Sequence, residues 1–204
     1  MHAKKHWEDL YHTKSPTEVS WFSPRLEISL SLIKHAAPEL SASIIDVGGG
    51  ASTLVDDLIA SGYENITVLD IAETAIDAAR KRLGSNAGCV KWLVADITQL
   101  ALSEQSYDVW HDRAVFHFLT QSDERRAYIR QLMSAVRAGG HVIIATFGPE
   151  GPQKCSGLNV VRYHADSLRD ELGPRFRLLE SSKMLHQTPF GTSQQFLYCH
   201  GVLE

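Results

Sequence analysis

A glycine turn and two acidic residues stand where three successive strands of this sequence are expected to end. Residues 46–53 read DVGGGAST, after the apolar run SASII and before the helically spaced segment LVDDLIASG. A glycine turn between a strand and a helix brings the backbone close to a ligand, and the helix N-terminus favours anionic groups. The pattern predicts a ligand site at this turn; a tight turn that binds nothing is the alternative.

The residues of the turn narrow the choice of ligand. A phosphate-binding P-loop needs a lysine followed by serine or threonine, whereas Ala51, Ser52 and Thr53 follow the glycines here. The dinucleotide-binding pattern has a third glycine at the position of Thr53 and an apolar residue at the strand end, where this sequence has Asp46. The carboxylate of Asp46 could accept hydrogen bonds from the turn or from the ammonium group of a ligand. The turn therefore argues against a P-loop and weakens a NAD site.

Acids follow the next two predicted strands. Asp70 ends NITVLD, 22 residues after Gly48, where a carboxylate can bind both hydroxyls of a ribose. Asp96, in VADI, could accept a hydrogen bond from an adenine amino group while Ile97 packs on the ring. A helix-capping acid and a turn aspartate are the alternatives. Together these positions predict an adenosine site along the carboxyl edge of a sheet, which suits S-adenosylmethionine better than NAD.

Strands alternate with helices along most of the chain, which predicts a parallel, doubly wound sheet. The last two strands are joined too closely for a helical crossover and should pair antiparallel. Pro24 suits the first position of a helix, Ser122 or Asp123 an N-cap, and Gly84 a C-cap. The predicted strands are 43–48, 65–70, 89–97, 107–113, 141–147, 176–185 and 194–203; the predicted helices are 24–37, 52–61, 72–84, 122–140 and 164–173.

Composition sets limits on the class of protein. The 204 residues carry a formal net charge of −4, with 44% hydrophobic and 22% charged residues, as in an ordinary globular domain. This balance argues against a protein that mainly binds nucleic acid. Three widely spaced cysteines, without a CxxC pair, predict neither a disulfide framework nor a metal site. The segment MHAKKHWEDLY lacks the apolar stretch of a signal peptide, so we expect a cytoplasmic protein without a membrane span.

The sequence resembles the class I, seven-strand S-adenosylmethionine-dependent methyltransferases, as a small single-domain member of the type 11/12/25 kind. The resemblance rests on IIDVGGGAST, VLDI, VADI, YDVWHDRAVFHFL and VRAGGHVIIATF, within residues 40–147. It implies a Rossmann-like α/β fold of seven mostly parallel strands with a C-terminal antiparallel hairpin. It also implies one domain, residues 1–204, with a lid segment at 1–23, a cofactor-binding core at 24–150 and a substrate-side region at 151–204.

The resemblance extends to the N-terminus. HWEDLY followed by EVSWF is similar to a Trp-x-x-x-Tyr and Trp-Phe arrangement that folds over the cofactor in small members of this family. By that resemblance Trp7, Tyr11, Trp21 and Phe22 would close the site, although a buried aromatic cluster explains them as well. The cofactor-binding residues implied are Trp21, Asp46, Gly48, Gly50, Ser52, Thr53, Asp70, Ile71, Asp96, Ile97, Asp112 and Arg113.

The end of the fourth strand is the expected place for catalytic residues. Asp112 could hold the cofactor ammonium or orient a substrate, and Arg113 could recognise an anion or form a salt bridge. His117 could act as a general base because its ordinary pKa is close to neutral, but a packed histidine fits FHFL better. Of the residues that lysine methyltransferases of this family show at this point, the sequence keeps only the aspartate. This departure argues against a lysine side chain as the methyl acceptor.

The remaining candidates lie in loops on the expected substrate side. Tyr11, Lys14, Lys154 and His186 are the candidate substrate contacts, with plain surface loops as the alternative. The predicted function is transfer of a methyl group from S-adenosylmethionine, which becomes S-adenosylhomocysteine, to a small molecule. A protein acceptor such as lysine, or a cofactor-binding protein without transferase activity, remains an alternative. Neither nucleic acid nor a membrane is expected as a partner.

Overall fold

Seven strands form one sheet in the computed structural model, which describes residues 2–204. Their order across the sheet is β3-β2-β1-β4-β5-β9-β8. Strands β1 to β5 are parallel, and β9 and β8 add an antiparallel pair, as the sequence predicts. The strands are β1 Ser43–Val47, β2 Asn65–Asp70, β3 Val90–Val94, β4 Tyr107–Arg113, β5 Val136–Phe147, β8 Phe176–Gln187 and β9 Ser193–Leu203; β6 Lys154–Cys155 and β7 Leu158–Asn159 form a separate short hairpin.

Helices cover both faces of the sheet and divide the core into two clusters. Ile44 packs into the cluster below helix α2, whereas Ile45, its neighbour on β1, packs into the cluster below helix α5. A central parallel strand is covered on both faces, which is why SIIDV reads as a nearly continuous apolar run. The helices are α1 His2–Thr13, α2 Glu27–Ala36, α3 Leu54–Ala60, α4 Glu73–Leu83, α5 Ser122–Ala135 and α6 Ala165–Leu172.

Helix α5 ends earlier than predicted. It stops at Ala135, and residues 136–140 belong to β5 instead of the helix. Val136 is buried and pairs with Tyr107 of β4, so strand pairing outweighs the helical pattern for this β-branched residue. Gly139 adopts a φ of +76°, which a helix interior does not accommodate.

Two predicted helix starts are also wrong. The N-cap of α5 is Gln121, not Ser122 or Asp123, because the Gln121 N–H donates to the carboxylate of Glu124 at 3.2 Å. Pro24 does not begin α2, which starts at Glu27. The Ser23 hydroxyl donates to the Arg25 carbonyl at 2.6 Å and holds this segment in a turn before the helix. Gly84, by contrast, is the C-cap of α4, with a φ of +57°.

The N-terminal helix α1 docks on the carboxyl edge of the sheet through Glu8. The Glu8 carboxylate accepts the backbone N–H groups of Glu73 at 2.8 Å and Thr74 at 3.2 Å, and the Thr74 hydroxyl at 2.7 Å. These N–H groups open helix α4 and have no partner within that helix, so the carboxylate also interacts favourably with the helix dipole. Within residues 2–204, no helix is both long and apolar enough to cross a bilayer.

Replacement of Glu8 should loosen α1 without unfolding the sheet. In Glu8→Ala we expect amide hydrogen exchange of α1 to accelerate about tenfold, because three bonds to a charged acceptor are lost. The control is Asp9→Ala on the exposed side of the same helix. Equal protection of α1 in the two variants would contradict this role of Glu8.

Candidate functional site

A cavity opens at the carboxyl ends of strands β1 to β4 and is covered by the N-terminal segment. Its wall brings together the glycine turn, the two strand-end acids and the aromatic residues near the N-terminus. The lining residues are Ala3, Trp7, Tyr11, Trp21, Val47, Gly48, Leu69, Asp70, Ile71, Ala95, Asp96, Ile97, Thr98, Arg113, Ala114, Val115, Phe118, Leu119, Glu124, Cys155 and Leu158. The predicted site therefore assembles in one place from distant parts of the chain.

The glycine turn is held by its neighbours and leaves no space for side chains. The N–H groups of Gly48 and Gly49 both donate to the Leu69 carbonyl, at 2.7 and 3.2 Å, which ties the turn to β2. Gly48 has a φ of +71°, and a Cβ there would collide with Val115. A Cβ on Gly50 would collide with the carboxylate of Asp70. Gly48 therefore presents bare backbone to the cavity, whereas Gly50, a predicted cofactor contact, packs against Asp70 and lines neither this cavity nor the next one.

Asp70 places a buried carboxyl group in the cavity wall. Only 6% of the residue is exposed, and its Oδ1 accepts the Ala72 N–H at 2.8 Å. Burial raises its pKa to about 7; the Ala72 hydrogen bond opposes the rise, and the charges of Asp46 and Glu8 add to it. A small change in its surroundings therefore decides whether Asp70 is ionised near neutral pH.

Asp96 and two isoleucines form the next part of the wall. Asp96 Oδ1 accepts the backbone N–H of Thr98 at 2.9 Å and its hydroxyl at 2.7 Å. Asp96 Oδ2 has only a long contact, 3.3 Å, with the amide of Gln99. Ile71 and Ile97 lie beside these acids, so a polar edge and an apolar surface are available to one flat ligand.

A second, adjacent cavity contains Asp46 and Arg113 together. Asp46 Oδ1 contacts His111 Nδ1 at 2.7 Å, and Asp46 Oδ2 is buried without a hydrogen-bond partner in the described structure. The Arg113 guanidinium donates to the Trp21 carbonyl at 3.0 Å, and its Nη2 is likewise buried and unpartnered. Buried polar atoms without partners are rare, so these two are candidate ligand contacts.

Ser52 and Thr53 line this second cavity but use their hydroxyls locally. The Ser52 hydroxyl accepts the Leu54 N–H at 3.2 Å, at the start of α3. The Thr53 hydroxyl donates to the Ser23 carbonyl at 3.1 Å and so binds the N-terminal segment to the glycine turn. Phe22 lies in the same wall.

Asp112 occupies a framework position, which corrects the expectation that it contacts the cofactor. It is fully buried and accepts the Tyr128 hydroxyl at 2.6 Å and the N–H groups of Val115 at 2.8 Å and Phe116 at 3.0 Å. Burial raises its pKa to about 6 in spite of these bonds. Both oxygens are thus used to shape the turn after β4, and the residue is not part of the cavity lining.

His117 is a packed residue, the alternative that FHFL favours, and a role as a general base does not fit its position. It is fully buried between Phe118 and Phe147, and its Nδ1 accepts the Phe147 N–H at 3.1 Å. Burial, together with the charge of Arg113, lowers its pKa to about 3. The histidine is therefore neutral near pH 7 and lies behind the cavity wall.

Aromatic side chains from the N-terminal segment close the cavity. Trp7 meets Trp21 edge to face at a centroid distance of 5.7 Å and Phe118 at 5.0 Å. Tyr11 meets Trp21 at 6.5 Å, and burial raises the pKa of its hydroxyl. Cys155 contributes a thiol to the same wall, and burial raises its pKa to about 11.

The other candidate substrate contacts stand apart from this wall. Lys14 and Lys154 are exposed, in the turn after α1 and in β6 respectively. His186 is 6% exposed and bonds through Nε2 to the Ser20 carbonyl at 2.9 Å. Sequence reasoning missed Phe118 and Leu158 as lining residues, because a Phe or Leu carries no signal that separates a cavity wall from a core. No group of three or more potential metal ligands occurs within residues 2–204.

Comparisons with known proteins agree with this geometry. A model described as a methyltransferase domain matches residues 44–140. The chain is 27% identical over 138 residues to an eEF1A lysine and N-terminal methyltransferase of Mus musculus. That alignment covers 68% of the chain and 19% of the mouse protein, so the chain spans about a fifth of the length of this relative.

Two solved structures share the fold over almost the whole chain. One, from work on the conversion of a disulfide bond into a thioacetal group during echinomycin biosynthesis, has a TM-score of 0.80 at 20% identity and covers 100% of this chain and 93% of its own. The other is a Burkholderia thailandensis 1,6-didemethyltoxoflavin-N1-methyltransferase with bound S-adenosylhomocysteine. It has a TM-score of 0.75 at 14% identity and covers 98% of this chain and 87% of its own.

The raised pKa of Asp70 predicts how stability depends on pH. A carboxyl with a folded pKa of about 7 and an ordinary value of 3.8 binds its proton more tightly in the folded state. Its contribution is therefore complete below pH 3.8 and is lost as the pH rises through 7. Asp70→Asn should be more stable than wild type at pH 8, with a much smaller difference at pH 5, in urea unfolding. A difference that is equal at both pH values would contradict the assignment.

Proposed function

We propose that this chain, in which a methyltransferase-domain model matches residues 44–140, is a class I S-adenosylmethionine-dependent methyltransferase that transfers a methyl group from S-adenosylmethionine to a small molecule. One observation carries the proposal: Gly48, Asp70 and Asp96, at successive strand ends, line a single cavity. Ligands of open α/β sheets bind at this carboxyl edge. Asp70 ends β2 and Asp96 follows its partner strand β3, so the ribose and the adenine of one cofactor could contact the two acids together.

The residues present suit each part of this cofactor. Asp70 would accept the ribose hydroxyls and Asp96 the adenine amino group, while Ile71 and Ile97 would contact the ring. The buried, unpartnered oxygen of Asp46 and nitrogen of Arg113 match the ammonium and the carboxylate of the methionine part. A zwitterion would give both atoms the partners that they lack in the protein alone.

The chemistry makes few demands on the protein once the cofactor is bound. S-adenosylmethionine supplies a methyl group on a sulfonium that is already an activated leaving group. The chain must orient the acceptor and exclude water, and the aromatic contacts among Trp7, Trp21 and Phe118 serve both purposes. Tyr11 and Cys155 are neutral near pH 7 because burial raises their pKa values, so neither serves as a general base.

The covered cavity favours a small molecule as the methyl acceptor, in preference to a macromolecule. Ala3, Trp7, Tyr11 and Trp21 contribute to its wall, which supports a role of the N-terminal segment as a lid. The Burkholderia thailandensis neighbour is, by its name, a methyltransferase of the small molecule 1,6-didemethyltoxoflavin. The eEF1A lysine methyltransferase relatives favour a protein acceptor as the second candidate. A binding protein without transferase activity is the third. The unpaired Cys89, Cys155 and Cys199 suit a reducing compartment, and we place the protein in the cytoplasm.

Binding of S-adenosylhomocysteine tests the cofactor assignment directly. Wild type should bind it in calorimetry, and Asp70→Ala should weaken binding about tenfold to a hundredfold, because charged hydrogen bonds to the ribose are lost. The control is Asp77→Ala, an exposed acid of α4 whose ion pair is with Arg80. Binding of NADH in place of S-adenosylhomocysteine would contradict the proposal, as would an Asp70→Ala variant that binds like wild type.

A labelled-methyl screen of a cell extract tests the acceptor class. After incubation with the enzyme and labelled cofactor, the label should appear in the small-molecule fraction and depend on Asp70. Label in the protein fraction would instead select the second candidate. Cofactor binding without label in either fraction would select the binding protein.

A further inference from the structure

A continuous buried chain of hydrogen bonds connects Arg113 to Asp46. Arg113 Nε lies 3.2 Å from the Tyr198 hydroxyl, which lies 3.4 Å from the Ser29 hydroxyl. Ser29 lies 2.9 Å from His111 Nε2, and His111 Nδ1 lies 2.7 Å from Asp46 Oδ1. The inner residues of the chain, Tyr198, Ser29 and His111, are at most 2% exposed.

The two ends of the chain fix the direction of every bond. A guanidinium can only donate and a carboxylate can only accept, so Tyr198 accepts from Arg113 and His111 donates from Nδ1 to Asp46. With neutral His111, Ser29 donates to Nε2 and Tyr198 donates to Ser29, and each hydroxyl proton has an acceptor. An imidazolium would donate to Ser29 and leave one hydroxyl proton without an acceptor in the chain. With neutral His111, both hydroxyl protons and both ring nitrogens of the chain therefore have partners, and aligned bonds of this kind polarise one another.

The sheet and one helix place these groups in a row. Asp46 and His111 are register partners on β1 and β4, and Arg113 follows two residues later on the same face of β4. Ala145 of β5 pairs with Arg113 on one side and with Tyr198 on the other. Its short side chain leaves room for the guanidinium to cross β5, where it lies 4.5 Å from the centroid of Phe196.

The hydrogen-bond chain connects Asp46 and Arg113 without a direct ion pair between them. Among the ion pairs of residues 2–204, Asp46 pairs with His111, and none joins it to Arg113. A direct ion pair would use the atoms that are now left without a partner. Through the chain, Asp46 keeps Oδ2 and Arg113 keeps Nη2 buried and free.

We propose that Ser29 and Tyr198 are positioning residues for the amino-acid half of the cofactor. They act through Arg113 and Asp46, whose free atoms bind the carboxylate and the ammonium of that half. This inference rests on the proposed function, because it assumes that S-adenosylmethionine is the ligand. It adds two residues, on α2 and β9, that lie outside both cavity linings.

The test compares two ligands that differ in the amino-acid half. S-adenosylhomocysteine carries the zwitterion, whereas 5′-methylthioadenosine has the same adenosine and lacks it. In Tyr198→Phe we expect the Kd for S-adenosylhomocysteine to rise about tenfold, because the guanidinium loses its anchor, while the Kd for 5′-methylthioadenosine stays within twofold of wild type. Ser29→Ala breaks the same chain and should have the same effect. The double variant should be no weaker than either single one, since one intact chain is lost in each case.

Tyr163→Phe is the matched control. Tyr163 is 3% exposed and its hydroxyl has no partner in the described structure, so its removal should leave both Kd values unchanged. Equal weakening of both ligands in Tyr198→Phe and Ser29→Ala would show a general structural role and overturn the inference. Unchanged affinity for S-adenosylhomocysteine would overturn it too. If wild type binds neither ligand, the proposed function itself fails, which separates the two failures.

Discussion

The burial of carboxyl groups at the ends of neighbouring parallel strands constrains the rest of this structure. Asp46, Asp70 and Asp112 end or nearly end β1, β2 and β4, and each is at most 6% exposed. An ionised carboxylate that loses water must gain hydrogen bonds or an opposite charge, or else take up a proton. The turns and helices that follow these strands supply the compensating groups, each in a different way.

The degree of compensation distinguishes framework acids from binding acids. Asp112 uses both oxygens on Tyr128 and on the turn after β4, and nothing is left for a ligand. Asp46 uses one oxygen on His111 and retains one without a partner. Asp70 has the Ala72 N–H on one oxygen and a pKa of about 7, which shows incomplete compensation. Incomplete satisfaction costs stability, so the unpartnered atoms of Asp46 and Arg113, two residues that line the same cavity, are a structural sign of a ligand site.

The sequence was sufficient for those features that depend on neighbours along the chain. The strand pattern, the glycine turn and the acids at 70 and 96 depend on local residue types, and the family resemblance added the seven-strand, Rossmann-like fold. The expected cofactor contact of Asp112 was wrong, and the packed position of His117 stayed one of two alternatives, because both roles depend on partners elsewhere in the fold. The hydroxyl that donates to Asp112 is on α5, and the N–H that donates to His117 comes from the end of β5. The early end of α5 likewise follows from the pairing of Val136 with Tyr107, which no helical pattern contains.

The attachment of the N-terminal segment shows which part of it solvent can displace. Residues 20–23 are bonded to three core side chains: Ser20 to His186, Trp21 to Arg113 and Ser23 to Thr53. Helix α1 depends instead on Glu8, whose bonds to α4 lie at a partly exposed surface where water competes. Residues 14–18 between these two attachments are largely exposed. Trp7 and Tyr11 are on α1 whereas Trp21 is on the more firmly held part, so a displacement of α1 would open the cavity and leave the Trp21 contact with Arg113 in place.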